Sequence, residues 1–154
     1  MKVATKAYGI IDVDERQKIA FPAGLFGFEG IKEYLLLDAE RQPFYWLQAL
    51  EVEELAFILI NPFLFRPDYE VEVDDEELRD IGLSDPKMAL TFSIVTIPPE
   101  GPMTANLQGP LIINREFRLG KQAILTDVRW KTKHNIMEEL ASIKQTEAAK
   151  KAPC

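Results

Sequence analysis

The chain has 154 residues, 25 acidic against 18 basic, with one histidine and one cysteine, for a formal charge of -7. That is the length of one domain, enough to bury roughly two thirds of its unfolded surface without a metal or disulfide staple. A single cysteine excludes an internal disulfide. The acidic balance argues against direct binding of nucleic acid, because phosphate contacts need a basic surface.

The opening MKVATKAYGIIDVD lacks the apolar segment of a secretory signal, and no stretch approaches the roughly 20 apolar residues of a membrane span. A soluble cytoplasmic protein is expected, and Cys154 at the very end fits a reducing compartment. Val3 to Tyr8, Ile10 to Val13 and Lys18 to Phe21 read as the arms of a hairpin or meander that turns at Asp14 to Gln17. Pro22 to Gly30 holds three glycines and a proline and must be a shaped loop. Its Leu25, Phe26 and Phe28 either plug the core or face outward. Glu33 to Asp38 and Phe44 to Leu50 read as strands. Leu55 to Ile60 is apolar at every position, as expected of a strand buried on both sides or closing a barrel.

Asn61-Pro62 signals a turn, and Pro67 makes Phe63 to Tyr69 an edge or crossing segment. In Glu70 to Asp75, Val71 and Val73 alternate with Glu70, Glu72 and Asp74, predicting a strand with one buried and one acidic face. Asp74 to Gly82 suits a short helix with acidic residues in its first turn and a glycine to end it. Ser84-Asp85-Pro86 starts another turn or short helix, and Met88 to Ile97 is a strand ending at Pro98-Pro99. Pro110 to Asn114 and Gln122 to Thr126 read as the last strands, with Gly120 at the turn between them. Lys133 to Ala149 then places Ile136, Leu140 and Ile143 on one face of a terminal amphipathic helix expected to fray beyond Lys144.

The expected architecture is mostly β: a compact antiparallel barrel-like single domain with one or two short helices and a C-terminal helix. A two-layer sandwich is the competing arrangement. Residues 1–130 form the barrel, and 131–154 add the helix and tail to the same domain.

Catalytic equipment is sparse. His134 reads as a solvated helix residue, and no second histidine or internal cysteine accompanies it to build a metal site or a nucleophilic triad. Asp74 to Glu77 lacks the alternating ligands and central glycine of a calcium loop. Gly24, Gly27 and Gly30 lack the Lys-Ser or Lys-Thr pair of a phosphate loop. No metal, cofactor or enzymatic activity is expected. Binding features are richer: Phe63, Phe65 and Tyr69 on an edge segment suit a protein-protein hot spot, and the acidic run from Asp68 to Asp80 follows directly. An apolar patch with a negative rim fits a partner with an apolar centre and a basic border. Asn106, Gln108 and Asn114 set side-chain amides into an apolar run and must find partners in the chain's own turns or in another protein.

Four stretches, FPAGLFGFEGIKEY at Phe21 to Tyr34, PFYWLQAL at Pro43 to Leu50, LAFILINPFLFRPDYEVEV at Leu55 to Val73 and IVTIPPEGPMTANLQGPLIIN at Ile94 to Asn114, together resemble the FliW family of bacterial flagellar assembly factors over about residues 3–130. The resemblance implies a β-barrel-like protein without enzymatic activity. It further implies binding to the translational repressor CsrA and to the C-terminal region of flagellin, with relief of repression by partner switching. The free protein is expected to be a monomer.

Residues carried over by position are Gly24, Gly27, Phe28, Leu47, Gln48, Pro62, Pro67, Tyr69, Thr104, Asn106, Leu107, Pro110 and Asn114. Phe26 departs from the family pattern at a loop position often held by proline, and Gln108-Gly109 departs in the approach to Pro110. The candidate protein-binding set is Phe28, Gln48, Phe63, Phe65, Tyr69, Glu70, Glu72, Asp74, Asn106 and Gln108. For Gln48, Asn106 and Gln108, local turn bonding and partner contact both stay open. The alternative function is a small-ligand-binding or hydrolytic barrel with a pocket near Gln48, Asn106 and Asp127.

Overall fold

The computed structural model describes residues 1–151; the expectation for Cys154 lies outside them. The strands are β1 (Lys2–Thr5), β2 (Gly9–Asp12), β3 (Lys18–Ala20), β4 (Glu33–Asp38), β5 (Tyr45–Ala49), β6 (Ala56–Ile60), β7 (Ala89–Thr96), β8 (Thr104–Ala105), β9 (Leu111–Asn114), β10 (Leu119–Gln122) and β11 (His134–Asn135). Helix α1 is Asp75–Arg79 and α2 is Ile136–Lys151.

Strands β3 to β7 form an antiparallel meander, β9 pairs with both β7 and β10, and β10 meets β3 in parallel at Leu119 and Ala20. Those pairings close a seven-stranded barrel, so the sandwich alternative is set aside. Closure removes the free sheet edges that would otherwise invite aggregation. The eight-residue β7 is long enough to divide one edge between two partners. Ala89 to Phe92 pair with β9, whereas Val95 and Thr96 pair with β8, which in turn carries β11.

Alternation along the strands separates two environments. Ile19, Tyr34, Leu47, Leu59, Phe92, Leu111 and Ile113 belong to one core cluster inside the barrel. The intervening Leu35, Leu37, Ile60, Val95 and Ile112 face outward, yet they are also buried, beneath three coverings. The β1–β2 hairpin covers Leu35 and Leu37, the segments carrying Phe65, Leu107 and Trp130 cover Ile60 and Val95, and the α1 region covers Ile112. Two-sided burial is why β6 and β9 are apolar at successive positions.

Several boundaries differ from expectation. The opening hairpin turns at residues 6–8, not at Asp14 to Gln17, which form a 3₁₀ turn with a reciprocal capping box leading into β3. Glu70 to Asp74 keeps its in-out burial alternation but joins no sheet, and Asp75 already belongs to α1. Phe63 to Tyr69 begins with a 3₁₀ turn at Pro62–Leu64 capped by Asn61.

Gln122 to Thr126 is not a strand: β10 lies earlier, and Gly120 sits inside it. A Cβ there would stand 2.5 Å from the Phe21 ring, so Gly120 is a packing glycine. Gly82, at φ +68°, ends the α1 region as expected, with Leu83 N–H donating to Leu78 C=O and Gly82 N–H to Arg79 C=O, the paired bonds of a Schellman cap.

Candidate protein-binding surface

The glycine loop and the amide-rich segment lie far apart in sequence and meet in the fold. Gly24, at φ +69°, lets the loop pass so close to Glu29 that a Cβ would fall 2.5 Å from the Glu29 backbone. Leu25 enters the barrel core, while Phe26 and Phe28 remain 50% and 38% exposed. Phe28 stands edge-on to Phe57, with ring centroids 5.4 Å apart. Gln122, which sequence reasoning passed over, joins the two regions: its Oε1 accepts from Phe26 N–H at 2.9 Å and its Nε2 donates to Gly109 C=O at 3.0 Å. A lone amide in the run Lys121-Gln122-Ala123-Ile124 was the available signal.

Asn106 answers the open question for its acceptor oxygen. Its Oδ1 accepts from Gln108 N–H and Gly109 N–H at 3.1 and 2.9 Å, holding its own turn closed. Asn114 does the same for Glu116 and Phe117, and its Nδ2 donates to Ile81 C=O, tying the α1 region to β9. Gln48 is buried. It accepts from Lys6 N–H at 2.9 Å, and its Nε2 lies within 3.0–3.2 Å of the carbonyls of Ala49, Val52, Glu53 and Leu55, so it joins the N-terminal hairpin to the β5–β6 turn. Gln108 is half-buried, and its backbone bonds to Lys131 and Leu125.

The aromatic trio divides. Phe65 is fully buried and Tyr69 nearly so, whereas Phe63 stays 41% exposed with its ring 5.8 Å from Tyr69. Tyr69 packs edge-on against Trp130 at 4.8 Å and donates its hydroxyl to Leu107 C=O at 2.6 Å; burial raises the pKa of that hydroxyl. The guanidinium carbons of Arg66 and Arg129 each lie 4.8 Å from the Trp130 ring centre. Arg66 bridges Asp68 and Glu139, and its hydrogen bond holds the Asp68 carboxyl below its usual range.

His134 is buried beside this cluster, contrary to its reading as a solvated helix residue, because it lies on β11 before the helix starts. Its Nε2 accepts from Lys131 N–H at 2.8 Å, so Nδ1 carries the proton and donates to Glu139 at 2.8 Å.

Glu70, Glu72 and Asp74 are all exposed. Glu70 pairs with Arg129 at 3.4 Å, and Glu72 and Asp74 have no ion pair among the described residues. The Gln48, Asn106 and Asp127 pocket is not formed. Gln48 serves the hairpin, Asn106 serves its turn, Asp127 pairs with Arg129, and none of the three lines the groove of about 530 Å³ or that of about 470 Å³.

The FliW protein family model matches residues 2–136. The chain belongs to the FliW family. It is 51% identical to the flagellar assembly factor FliW of Treponema denticola over 141 residues, covering 91% of this chain and 96% of that one. The FliW of Geobacillus sp. (strain WCH70) is 42% identical over 140 residues, covering 90% and 97%. A crystal structure of the flagellar assembly factor FliW superposes with a TM-score of 0.81 at 39% identity, covering 88% of this chain and 96% of that one.

Within this FliW fold the candidate residues separate by depth. Phe28, Phe63, Glu70, Glu72 and Asp74 present surface, Gln108 and Asn106 lie partly buried, and Gln48, Phe65 and Tyr69 are interior. The family match ends at Ile136, the first residue of α2. Ile136 is buried and Leu140 packs on the same cluster, so the first turns of the helix dock through two of the three apolar residues expected, while Ile143 lies outside that cluster.

Proposed function

We propose that this FliW-family chain is a cytoplasmic flagellar assembly factor, a binding protein and not an enzyme, that works by partner switching. One partner is a CsrA-type translational repressor and the other is the C-terminal region of flagellin. When flagellin accumulates it occupies the protein and frees the repressor; export of flagellin releases the protein to antagonise the repressor and so permit flagellin synthesis. Family membership over residues 2–136 carries this reading.

Two physical features support it. An RNA-binding repressor must present basic surface, and Glu72 and Asp74 offer unpaired negative charge to such a partner. The exposed rings of Phe26, Phe28 and Phe63 supply apolar contact area for an assembly segment. No described helix is long and apolar enough to cross a membrane.

Isothermal calorimetry at low salt with purified CsrA-type repressor and with a flagellin C-terminal peptide tests the proposal. Stoichiometric binding of both is expected, with a repressor affinity that falls as salt rises. Absence of binding to either partner rejects it.

A further inference from the structure

Glu70 to Val73 has the form of a strand without a sheet. Val71 and Val73 turn inward while Glu70, Glu72 and Asp74 turn outward, the two-residue period of extended chain. Among the described residues, no backbone N–H or C=O of these four residues has a protein hydrogen-bond partner. Beside the segment runs a groove of about 530 Å³ with an apolar lining that includes Val71, Val73, Leu78, Leu83, Ala89 and Ile112.

Negative charge outweighs positive at the rim, where Arg79 is the one lining cation among the described residues. Glu72, Asp74, Asp75 and Glu76 have no ion pair among the described residues, and Asp74, although it stands at the start of α1, makes no side-chain cap. Lys121 is already engaged by Glu77 and Asp80, and Arg129 by Glu70 and Asp127.

We propose that Glu70 to Asp74 is a docking strand that takes an extended segment of a partner protein in which basic and apolar residues alternate. The incoming backbone pairs with the free N–H and C=O groups of alternate residues of 70–73, those that face the same edge of the extended chain. Its basic side chains meet Glu70, Glu72 and Asp74, and its apolar side chains enter the groove. Strand addition fits better than a docked helix, because a helix would leave this unpaired backbone unused. The identity of the partner as the repressor rests on the function proposed above; the mode of docking does not.

The test uses the full chain labelled with ¹⁵N and three probes. These are an acetylated octapeptide alternating lysine and valine, the same peptide with alternate backbone N-methylation, and one alternating glutamate and valine. The lysine peptide is expected to bind and to slow amide exchange at alternate residues of 70–73 by about tenfold or more. N-methylation, and the double substitution Glu72→Lys with Asp74→Lys, each weaken binding by about tenfold. The glutamate peptide does not bind.

Equal binding of the lysine and glutamate peptides overturns the inference, as does a helical bound peptide or unprotected amides at residues 70–73. A parallel titration with CsrA-type repressor keeps the two proposals apart. Repressor binding without protection at residues 70–73 rejects the docking strand and leaves the function standing. Peptide docking with no binding of repressor or flagellin does the reverse.

Discussion

The hydroxyl of Tyr69 donates to the carbonyl oxygen of Leu107 at 2.6 Å and thereby joins the segment after β6 to the turn after β8. Both groups are buried, so the bond satisfies an acceptor that water does not reach. Tyr69→Phe keeps the ring against Trp130 but strands that carbonyl. A loss of about 1–3 kcal/mol is expected. Urea unfolding followed by tryptophan fluorescence measures it, and an unchanged midpoint would show that the bond contributes nothing net.

Gly120 faces the Phe21 ring so closely that a methyl group has no room. Gly120→Ala is expected to cost about 1–3 kcal/mol through overpacking. Combining it with Phe21→Leu should recover part of that loss, because the two residues share one space. Purely additive losses in thermal unfolding would place the strain elsewhere.

Those two contacts show where sequence reasoning reached and where it stopped. Period and punctuation place β4, β5, β6 and β7 within a residue or two, since alternation and flanking prolines act locally. Nothing local distinguishes Gly120 as a packing glycine from Gly120 as a turn glycine; the difference is a phenylalanine almost a hundred residues away. Glu70 to Asp75 misleads for a related reason: its strand pattern is real, but whether a strand joins a sheet depends on which edges are free, and closure of the barrel leaves none beside it. His134 lies one element before the helix to which its sequence pattern assigns it. Two residues of β11 precede α2, and they carry the imidazole into the core instead of out to solvent.

Gln48 is the buried amide that holds the N-terminal hairpin to the barrel. Gln48→Met fills the same volume without an acceptor for Lys6 N–H or a donor for the β5–β6 turn. The expected result is a loss of about 1–3 kcal/mol, together with faster amide exchange in residues 2–12 than in the barrel strands. Uniform acceleration across the chain would contradict a local role for this residue.

Acid should weaken the fold through aspartates that arginines hold in the charged form. Hydrogen bonds from Arg16, Arg66 and Arg129 keep the carboxyls of Asp14, Asp68 and Asp127 below the ordinary 3.8, with Asp14 lowered to about 2. A carboxyl whose folded pKa is depressed contributes stability that is present above its unfolded pKa and lost as pH falls through the folded value. The contribution of these pairs is therefore complete above about pH 4 and declines toward about pH 2. Arg66→Gln should flatten the part of that decline due to Asp68; an identical pH profile in wild type and variant would remove Asp68 from the account.

Glu139 takes hydrogen bonds from both Arg66 and His134 on a single oxygen, in the first turns of α2. Its position makes it the polar complement to Ile136 and Leu140, which dock the same helix through apolar contact. Glu139→Ala removes the acceptor of both bonds at once and leaves a buried imidazole N–H unpaired, whereas Glu139→Gln keeps a carbonyl oxygen for the same two donors. Because Arg66 and Glu139 are both partly exposed, the charge itself is screened, and the hydrogen bonds carry most of the effect. Alanine is thus expected to cost about 1–3 kcal/mol and to speed amide exchange across residues 136–140, with glutamine restoring most of both. Should glutamine behave like alanine, the negative charge of Glu139, and not its geometry as an acceptor, would be what secures the helix.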